Sequence, residues 1–232
     1  ISCSLVGSEM CIRDRYYVDV PMGRKTDALH LLLLARKPNS AMIFCNTKKM
    51  VDELTEALCL RGFPTVGLHG DMKQQQRTQV MNGFKSGRNT ILIATDVAAR
   101  GIDVKGVDAV FNYDLPQDQE FYIHRIGRTG RAGKTGTAYS IISGRKQEIE
   151  MRNIQHYTKA EITRITVPTS KELRSQLMQA EMEKLAALSQ CEISEETMAY
   201  TEQLLENGES AKQILGAMIQ QLSLIHISEP TR

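Results

Sequence analysis

The sequence predicts an α/β fold in which a parallel sheet is sandwiched by helices and is followed by a small α-helical appendage. Short runs that are apolar throughout suit strands buried on both faces. Segments with helical periodicity separate these runs, as in successive βαβ units. Beyond about Pro168, glycine becomes rare and the segments become charged and helical. The 232 residues suffice for one such domain with an appendage.

The first elements follow from local patterns. Tyr16–Val20 alternates like a strand, and Arg24–Arg36 is leucine-rich and helical. Ala41–Cys45 is a short apolar run that ends at Asn46. Thr47 is a candidate N-cap for the helix that follows. The expected apolar stripe of that helix consists of Val51, Leu54, Leu58 and Leu60.

The alternation of strands and helices then continues along the chain. The predicted strands are PTVGL, ILIAT, DAVFNYD and GTAYSII. The predicted helices or turns between them are KQQQRTQVMNGFKSG, DVAARG and DQEFYIHRIGR. In open α/β sheets, ligands bind beyond the carboxyl ends of the strands. We therefore expect functional side chains in the loops that follow Cys45, Leu68, Thr95 and Asp114.

The appendage contains three segments of helical character. TSKELRSQLMQAEMEKLAALSQ begins with a capping signal at Thr169 or Ser170. EISEETMAYTEQLLENG ends in Asn-Gly, a C-cap signal, and SAKQILGAMIQQ carries apolar residues on one side. Because this region has little core of its own, its apolar stripes either pack on the domain or pair with a second copy. We favour a homodimer formed through the appendage.

The two ends of the chain differ from the sequence beside them. LVGSEMCIRD near the start and LSLIHISEPT near the end can be back-translated to the two strands of one short DNA duplex, which resembles a transposon-end adapter of sequencing libraries. We therefore expect residues 1–15 to be adapter-derived or doubtful, and residues 222–232 to be an adapter-derived tail. The natural fragment then comprises the α/β domain, 16–167, and the appendage, 168–221.

Composition narrows the classes of function. The net charge of +2 is too small to indicate a nucleic-acid partner by itself. The five cysteines show no CxxC pair and no metal-ligand spacing. We interpret them as free thiols in a reducing, cytoplasmic compartment and expect no metal site. No apolar run approaches the roughly 20 residues of a membrane span.

HRIGRTGRAG, residues 124–133, interleaves arginines with glycines. On a helix, Arg125, Arg128 and Arg131 would lie near one face. Guanidinium groups so close repel one another unless an anion lies among them, and arginine binds phosphate oxygens bidentately. The alternative is a solvated basic surface. A P-loop is rejected, because its GxxxxGK[ST] pattern requires glycine where Arg128 stands.

TDVAARGID, residues 95–103, follows the predicted strand ILIA. Thr95 and Asp96 can satisfy exposed amides, and the small residues leave room for a ligand backbone. Arg100 adds a cation, and Asp103 is an acceptor suited to a ribose hydroxyl. An equally compatible alternative is a capped turn with a structural Asp–Arg pair.

Four segments together resemble motifs IV, IVa, V and VI of the DEAD-box RNA helicases. In order, they are IFCNT, HGDMKQQQR, TDVAARGID and HRIGRTGRAGK. Their order and spacing agree over roughly Tyr16–Val167, which resembles the second RecA-like domain of such an enzyme, of the P-loop NTPase type. The appendage is similar, more weakly, to the dimerisation region of bacterial cold-shock-type members.

The resemblance implies that ATP binds in a cleft between two RecA-like domains. The first domain would supply the P-loop and most of the contacts that hold Mg²⁺. The second domain alone is therefore expected to be inactive. By motif position, Arg128 and Arg131 would be arginine fingers that neutralise charge on the transferring phosphoryl group. Asp103 would contact the ATP ribose. His124 and Arg125 match positions that couple the two domains.

The resemblance also implies RNA binding on the other edge of the domain. The matching positions are Asn46, Thr47, Gln74, Arg77, Thr95, Arg100 and Gly101. Short polar groups, backbone amides and arginines suit contacts with phosphates and 2′-hydroxyls. Since no exposed aromatic platform is expected, we predict a sequence-independent grip on the RNA backbone.

Three functions remain open at this point. The first is the C-terminal helicase domain of an ATP-dependent DEAD-box RNA helicase that unwinds RNA duplexes locally. The second is a non-catalytic RNA-binding regulatory module. The third is a DNA helicase of the same superfamily, although the ARGID and HRIGRTGR segments favour RNA.

Overall fold

The computed structural model describes residues 12–100, 102, 104, 106–130, 136–188, 194–206 and 210–222. The chain divides into two units, Ile1–Val167 and Pro168–Arg232.

A seven-stranded parallel sheet runs through the described part of the first unit. Its strands are β1 (Ile12–Asp19), β2 (Ala41–Phe44), β3 (Thr65–Leu68), β4 (Ile91–Ala94), β5 (Ala109–Asn112), β6 (Gly136–Ile142) and β7 (Thr163–Arg164). Their spatial order is β3-β4-β2-β5-β6-β1-β7, and every pairing is parallel. The carboxyl ends of all strands therefore lie along one edge of the sheet.

Helices alternate with these strands along the chain. They are α1 (Lys25–Arg36), α2 (Lys48–Leu60), α3 (Gln74–Lys85), α4 (Asp96–Ala99), α5 (Gln119–Ile126) and α6 (Gly144–Thr158). Parallel neighbours in a sheet require crossover connections, and these helices supply most of them.

Strand β2 shows that the sheet is covered on both faces. Ile43 packs in one apolar cluster with Leu29 of α1 and Leu54 of α2. The next residue, Phe44, belongs to a separate cluster with Phe84 of α3. Because successive side chains of a strand point to opposite faces, both faces of the sheet are buried. This arrangement confirms the predicted parallel sheet sandwiched by helices.

Two helices begin where the capping signals predict. The Thr47 hydroxyl accepts the amide N–H of Met50 at 3.2 Å, which caps α2. In the second unit, the amide of Glu172 donates to the Thr169 hydroxyl at 3.2 Å, while the Glu172 carboxylate accepts the amide of Thr169 at 2.8 Å. Each cap satisfies amides that have no partner within the first helical turn.

The predicted apolar stripe of α2 is wrong at one position. Val51, Leu54 and Leu58 are buried, whereas Leu60 is 82% exposed. Steps of three and four residues keep the first three side chains on one face. Leu60 stands only two residues after Leu58, so the helical period turns it to the solvent side.

The first strand is longer than the predicted Tyr16–Val20. It begins at Ile12, and Arg15 pairs with Ala138 of β6. Strand β6 is seven residues long and offers backbone partners from Gly136 onward. The strand therefore extends into residues 12–15, which belong to the segment expected to be adapter-derived or doubtful.

The second unit is helical in its described residues. Its helices are α7 (Ser170–Leu188), α8 (Glu195–Glu206) and α9 (Ala211–Leu222). None of the α8 residues is buried. Met198, Tyr200, Leu204 and Leu205 of this helix are each at least 44% exposed.

Candidate functional site

Arg125, in the last turn of α5, is the centre of a polar network at the carboxyl edge of the sheet. Its side chain is only 1% exposed. The guanidinium donates twice to the carboxylate of Asp96, from Nε at 2.7 Å and from Nη2 at 2.6 Å. It also donates to the side chains of Asn46, at 2.9 Å, and Asn112, at 3.2 Å, and to the carbonyl of Asp114, at 2.6 Å. One buried cation thus connects the ends of β2, β4 and β5.

The turn after β4 has the features of the structural interpretation, and the ligand contacts of this turn stay predictions. The Thr95 hydroxyl accepts the amide of Ala98 at 3.4 Å, and Asp96 pairs with Arg125. The turn is therefore capped and contains a structural Asp–Arg pair. The arginine comes from the HRIGRTGR segment, 29 residues away in sequence, and not from the turn itself.

The two residues predicted to couple domains differ in their surroundings. His124 is exposed, whereas the donors of Arg125 are used within this domain. Arg125 can therefore influence a neighbouring domain only through the residues that it holds. Domain coupling by either residue stays a prediction.

Arg128 does not continue α5, which ends at Ile126. The expectation that Arg125 and Arg128 share one helix face is therefore wrong. Gly127 caps the helix, and the chain leaves the helical path there. The Arg128 guanidinium is half-buried and donates to the carbonyls of Ile102, at 3.0 Å, and Ala99, at 3.3 Å.

The backbone beyond Arg128 is attached to the segment that precedes β5. The Arg128 carbonyl accepts amides from Gly106 and Val107 at 3.0 and 3.2 Å. The hydroxyl of Thr129 donates to the carbonyl of Val107. Gly130 has φ +65°, a left-handed conformation that costs glycine little. Gly130 thus permits a tight turn, while the close approach of an anion to the glycines of this segment stays a prediction.

A cleft lies beside this turn. Its lining residues are Phe44, Asp96, Ala99, Arg100, Phe121, Ile123, His124, Arg125, Gly127 and Arg128. These lining residues include three arginines but one carboxylate, that of Asp96, which Arg125 already neutralises. The cleft therefore favours an anionic ligand.

An aromatic ring in this cleft was not foreseen from the sequence. The Arg100 guanidinium lies over the ring of Phe121, 4.8 Å from its centroid, and His124 contacts the same ring edge-on at 6.2 Å. Phe121 is half-buried. The expectation of no aromatic platform is therefore revised: a partly exposed ring is present, and a cation lies over one of its faces.

The other predicted RNA-binding residues follow the neighbouring strands β2, β3 and β4. Asn46 and Thr47 follow β2, and Gln74 is the first residue of α3, after β3. Arg77, one turn later, donates to the carbonyl of Ala98 at 3.1 Å and so joins α3 to α4. The sheet order thus brings these three motif segments to adjacent positions on one edge.

Three predicted site residues, Gly101, Asp103 and Arg131, lie outside the described residues. Their predicted contacts with RNA or ATP stay predictions.

Several residues of the network were not singled out from the sequence. Asn112 is a polar residue within the apolar segment DAVFNYD, and its side chain is fully buried. Because a buried polar group needs a hydrogen-bond partner, this asparagine could have indicated a buried polar network from the sequence alone. Lys25 gave no such signal, because a lysine at the start of a helix is ordinarily solvated.

Burial also shifts the pKa values of two groups near the site. It raises the pKa of the Cys45 thiol, with Asp114 adding to the effect, so Cys45 stays protonated and is a poor nucleophile. Burial lowers the pKa of Lys25, although Asp114 opposes that shift.

Comparison with known proteins identifies the family. Residues 24–133 match the model of the helicase conserved C-terminal domain. The C-terminal domain of the DEAD-box protein Dbp5 is 37% identical, with a TM-score of 0.64, and the match covers 69% of this chain and 93% of that domain. The chain belongs to the DEAD-box proteins. Its first unit contains the RecA-like C-terminal domain of that family.

Curated DEAD-box relatives extend over much of the chain. The DEAD-box ATP-dependent RNA helicase CshA of Bacillus thuringiensis strain Al Hakam is 42% identical over 200 residues, 84% of this chain and 37% of the relative. CshA of Geobacillus kaustophilus is 42% identical over 209 residues, 90% of this chain and 44% of the relative. The chain therefore spans about two fifths of the length of these curated DEAD-box relatives.

Two further classes of feature were sought in the part of the chain that the structure describes. No helix there is both long and apolar enough to span a membrane. No group of three or more histidine, cysteine, aspartate or glutamate side chains is arranged there to hold a metal ion.

Proposed function

We propose that this DEAD-box domain is one half of the catalytic core of an ATP-dependent RNA helicase and works with a first RecA-like domain. The cleft beside Arg128 carries the proposal. It has an excess of cations, lies at the carboxyl edge of a parallel sheet, and adjoins the segments predicted to bind RNA. The relatives described above are themselves named ATP-dependent RNA helicases.

Arg128 is the arginine finger in this proposal, together with Arg131. Its guanidinium donates to two neutral carbonyls, those of Ile102 and Ala99. A phosphate oxygen forms charge-assisted hydrogen bonds that are roughly twice as strong. When the two domains close, Arg128 would exchange carbonyl partners for phosphate oxygens and neutralise the charge that develops there. Asp103 would accept a ribose hydroxyl.

The chemistry of the cleft fits ATP better than it fits Mg²⁺. Its cations suit the phosphates, but among the lining residues that the structure describes Asp96 is the one carboxylate, and it is paired with Arg125. Magnesium prefers carboxylate and phosphate oxygens. We therefore assign Mg²⁺ mainly to the first domain, where it would neutralise phosphate charge.

The RNA-binding edge is the adjoining row of loops. In the proposal, RNA contacts come from Asn46, Thr47, Gln74, Arg77, Thr95, Arg100 and Gly101. Thr47 and Gln74 are exposed, and both stand at helix starts, where the dipole favours a phosphate. Such contacts read phosphates and 2′-hydroxyls, so binding would be independent of sequence.

The proposed mechanism links the two sites through domain closure. Arg125 connects Asp96, beside the cleft, to Asn46, on the RNA-binding edge. Closure that completes one site also completes the other, so the two ligands would raise each other's affinity. The RNA-binding edge would then hold one strand in a shape that a duplex cannot adopt, which separates a few base pairs locally.

The test is a domain fusion. Residues 16–221 are assayed for ATP hydrolysis alone and after fusion behind the first RecA-like domain of a close DEAD-box relative, with and without single-stranded RNA. We expect the piece alone to be silent and the fusion to hydrolyse ATP only with RNA. Hydrolysis by the piece alone would contradict the proposal.

Two other outcomes would favour the competing functions. A folded fusion that binds RNA but never hydrolyses ATP would indicate a regulatory module. Equal stimulation by DNA of the same sequence would indicate a DNA helicase, since RNA contacts include the 2′-hydroxyl. A cytoplasmic location is part of the proposal.

We also propose that the appendage forms a homodimer. The exposed side chains of Met198, Leu204 and Leu205 give α8 an apolar surface that a second copy can bury. Sedimentation at micromolar concentration should give a dimer, and Leu204→Glu should give a monomer, with Glu196→Gln as control. A monomeric wild-type chain would refute this contact.

A further inference from the structure

We propose that Lys25, which lies outside the four motifs, is a positioning residue for RNA binding. Through Asp114, it holds the Asn46–Thr47 segment in its binding conformation. The inference rests on the proposed RNA-binding function of Asn46 and Thr47. The start of α1 is then a fifth segment that supports RNA binding, beside the four motif segments.

Lys25 is unusually enclosed for a lysine. Its side chain is 13% exposed, and Nζ donates to the carbonyl of Tyr113 at 3.0 Å. Nζ also lies 3.7 Å from Oδ1 of Asp114 and over the ring of Tyr113, 5.6 Å from its centroid. An enclosed ammonium group is costly unless its charge is paired. Asp114 provides that pairing.

Asp114 links Lys25 to the motif segment that follows β2. Its other oxygen, Oδ2, accepts the backbone amide of Asn46 at 3.1 Å. One carboxylate thus joins Lys25 of α1 to the backbone of Asn46. The lysine fixes the side chain of Asp114, and Asp114 fixes the amide.

The segment 113–115 is held at three successive carbonyls by three different elements. Lys25 binds the carbonyl of Tyr113, Arg125 binds that of Asp114, and the side-chain amide of Asn46 binds that of Leu115 at 2.8 Å. Arg125 also binds the Asn46 side chain. Asn46 is therefore oriented by its backbone and by both ends of its side-chain amide.

Lys25 and Arg125 hold different groups of this network. Arg125 binds Asp96 and the side chain of Asn46, whereas Lys25 compensates the carboxylate that binds the Asn46 backbone. Without Lys25, Asp114 would keep an uncompensated charge on that side and move towards solvent. The backbone at Asn46 and Thr47 would then lose its fixed orientation.

The experiment is an RNA titration of the ¹⁵N-labelled chain, followed by the amide resonances, with a uridine decamer as probe. The variants are Lys25→Met, Asp114→Ala and both together. Lys146→Met is the control for loss of one positive charge, because Lys146 is 92% exposed on α6. Amide dispersion of the buried strands reports whether each variant is folded.

For Lys25→Met we expect affinity for the decamer to fall roughly two- to tenfold, the effect of one lost positioning hydrogen bond. RNA-induced shifts should shrink at Asn46 and Thr47 and persist at Gln74. The double variant should bind no more weakly than Asp114→Ala, because Lys25 acts through the Asp114 carboxylate. Lys146→Met should bind as wild type does.

Two results would overturn the inference. In one, Lys25→Met binds RNA as the wild type does; in the other, the effect of Lys25→Met adds fully to that of Asp114→Ala. If Lys25→Met does not fold, Lys25→Gln, which keeps an N–H donor for Tyr113 but no charge for Asp114, carries the same expectations.

A failure of the RNA-binding proposal gives a different pattern. In that case the wild-type amides at Asn46, Thr47 and Gln74 would not respond to the decamer at all. Hydrogen exchange at the Asn46 amide still tests the positioning role, since Lys25→Met should accelerate it. Unchanged exchange would overturn that role independently.

Discussion

Arg125 and Asp96 form a two-point contact in which Nε and Nη2 of the guanidinium bind the two carboxylate oxygens at 2.7 and 2.6 Å. Bidentate pairs of this kind fix direction as well as distance. The contact ties the end of α5 to the first residue of α4, so the segments resembling motifs V and VI form one unit of structure.

Replacement of Arg125 should destabilise the whole domain. Arg125→Ala leaves the side-chain oxygens of Asn46 and Asn112 and the charge of Asp96 without their donor, which costs about 3–5 kcal/mol of unfolding free energy. Urea unfolding measures this loss. Arg152→Ala, which removes an exposed arginine paired with Glu148 within α6, should leave the midpoint unchanged. Similar midpoints for both variants would contradict the account.

The Thr47 cap should make its own contribution to stability. Thr47→Ala removes the acceptor for the Met50 amide and should lower the unfolding free energy by about 1 kcal/mol. Thr47→Ser keeps the hydroxyl and should retain most of this unfolding free energy. Equal destabilisation by both substitutions would show that the lost methyl group, and not the cap, is responsible.

Gly130 should tolerate a side chain poorly. Its φ of +65° is a left-handed conformation, so Gly130→Ala should cost about 1–2 kcal/mol of unfolding free energy. Gly70→Ala is the matched control, because Gly70 lacks a positive φ and a Cβ there meets nothing within 4 Å. Thermal melts of the two variants make the comparison, and an equal shift in both would refute the argument.

His30 should make folding sensitive to mild acid. Its side chain is buried against the edge of the Phe63 ring, and its pKa is lowered, chiefly by burial and secondarily by Arg61. As pH falls below about 6.5, the unfolded chain takes up a proton that the folded chain resists. Stability contributed by neutral His30 is therefore present above that pH and is lost as pH falls towards the lowered pKa.

The measurement for His30 is urea unfolding at pH 7.5 and 5.5. His30→Leu should lose less stability between these values than the wild type does. An identical loss would assign the acid sensitivity to other groups.

The sheet was predictable because parallel strands that are buried on both faces appear in the sequence as short runs of apolar residues. Ala41–Phe44 and Ile91–Ala94 are apolar throughout and fully buried, and Thr47 and Thr169 mark helix starts by side-chain chemistry alone. The start of β1 was missed because residues 1–15 were set aside as adapter-derived or doubtful, whereas Arg15 pairs with Ala138 of β6.

The candidate site was predictable only in part. Motif spacing selected Asn46, Thr95, Arg125 and Arg128, but it did not show that Arg125 is buried and satisfied within the domain. Nor did it show that α5 ends before Arg128, since the periodicity continues past Gly127. The role of Lys25 depends on Asp114, 89 positions further along the chain, and only the fold brings these two residues together.

Arg128 is proposed to complete an ATP site formed with a second domain. The most direct measurement is RNA-stimulated ATP hydrolysis by the two-domain fusion carrying Arg128→Ala, beside a fusion carrying Arg88→Ala at an exposed position. We expect a loss on the order of 10³-fold or more for Arg128→Ala, with RNA binding in the absence of nucleotide retained, and no loss for Arg88→Ala. A wild-type rate in the Arg128→Ala fusion would show that Arg128 is not an arginine finger.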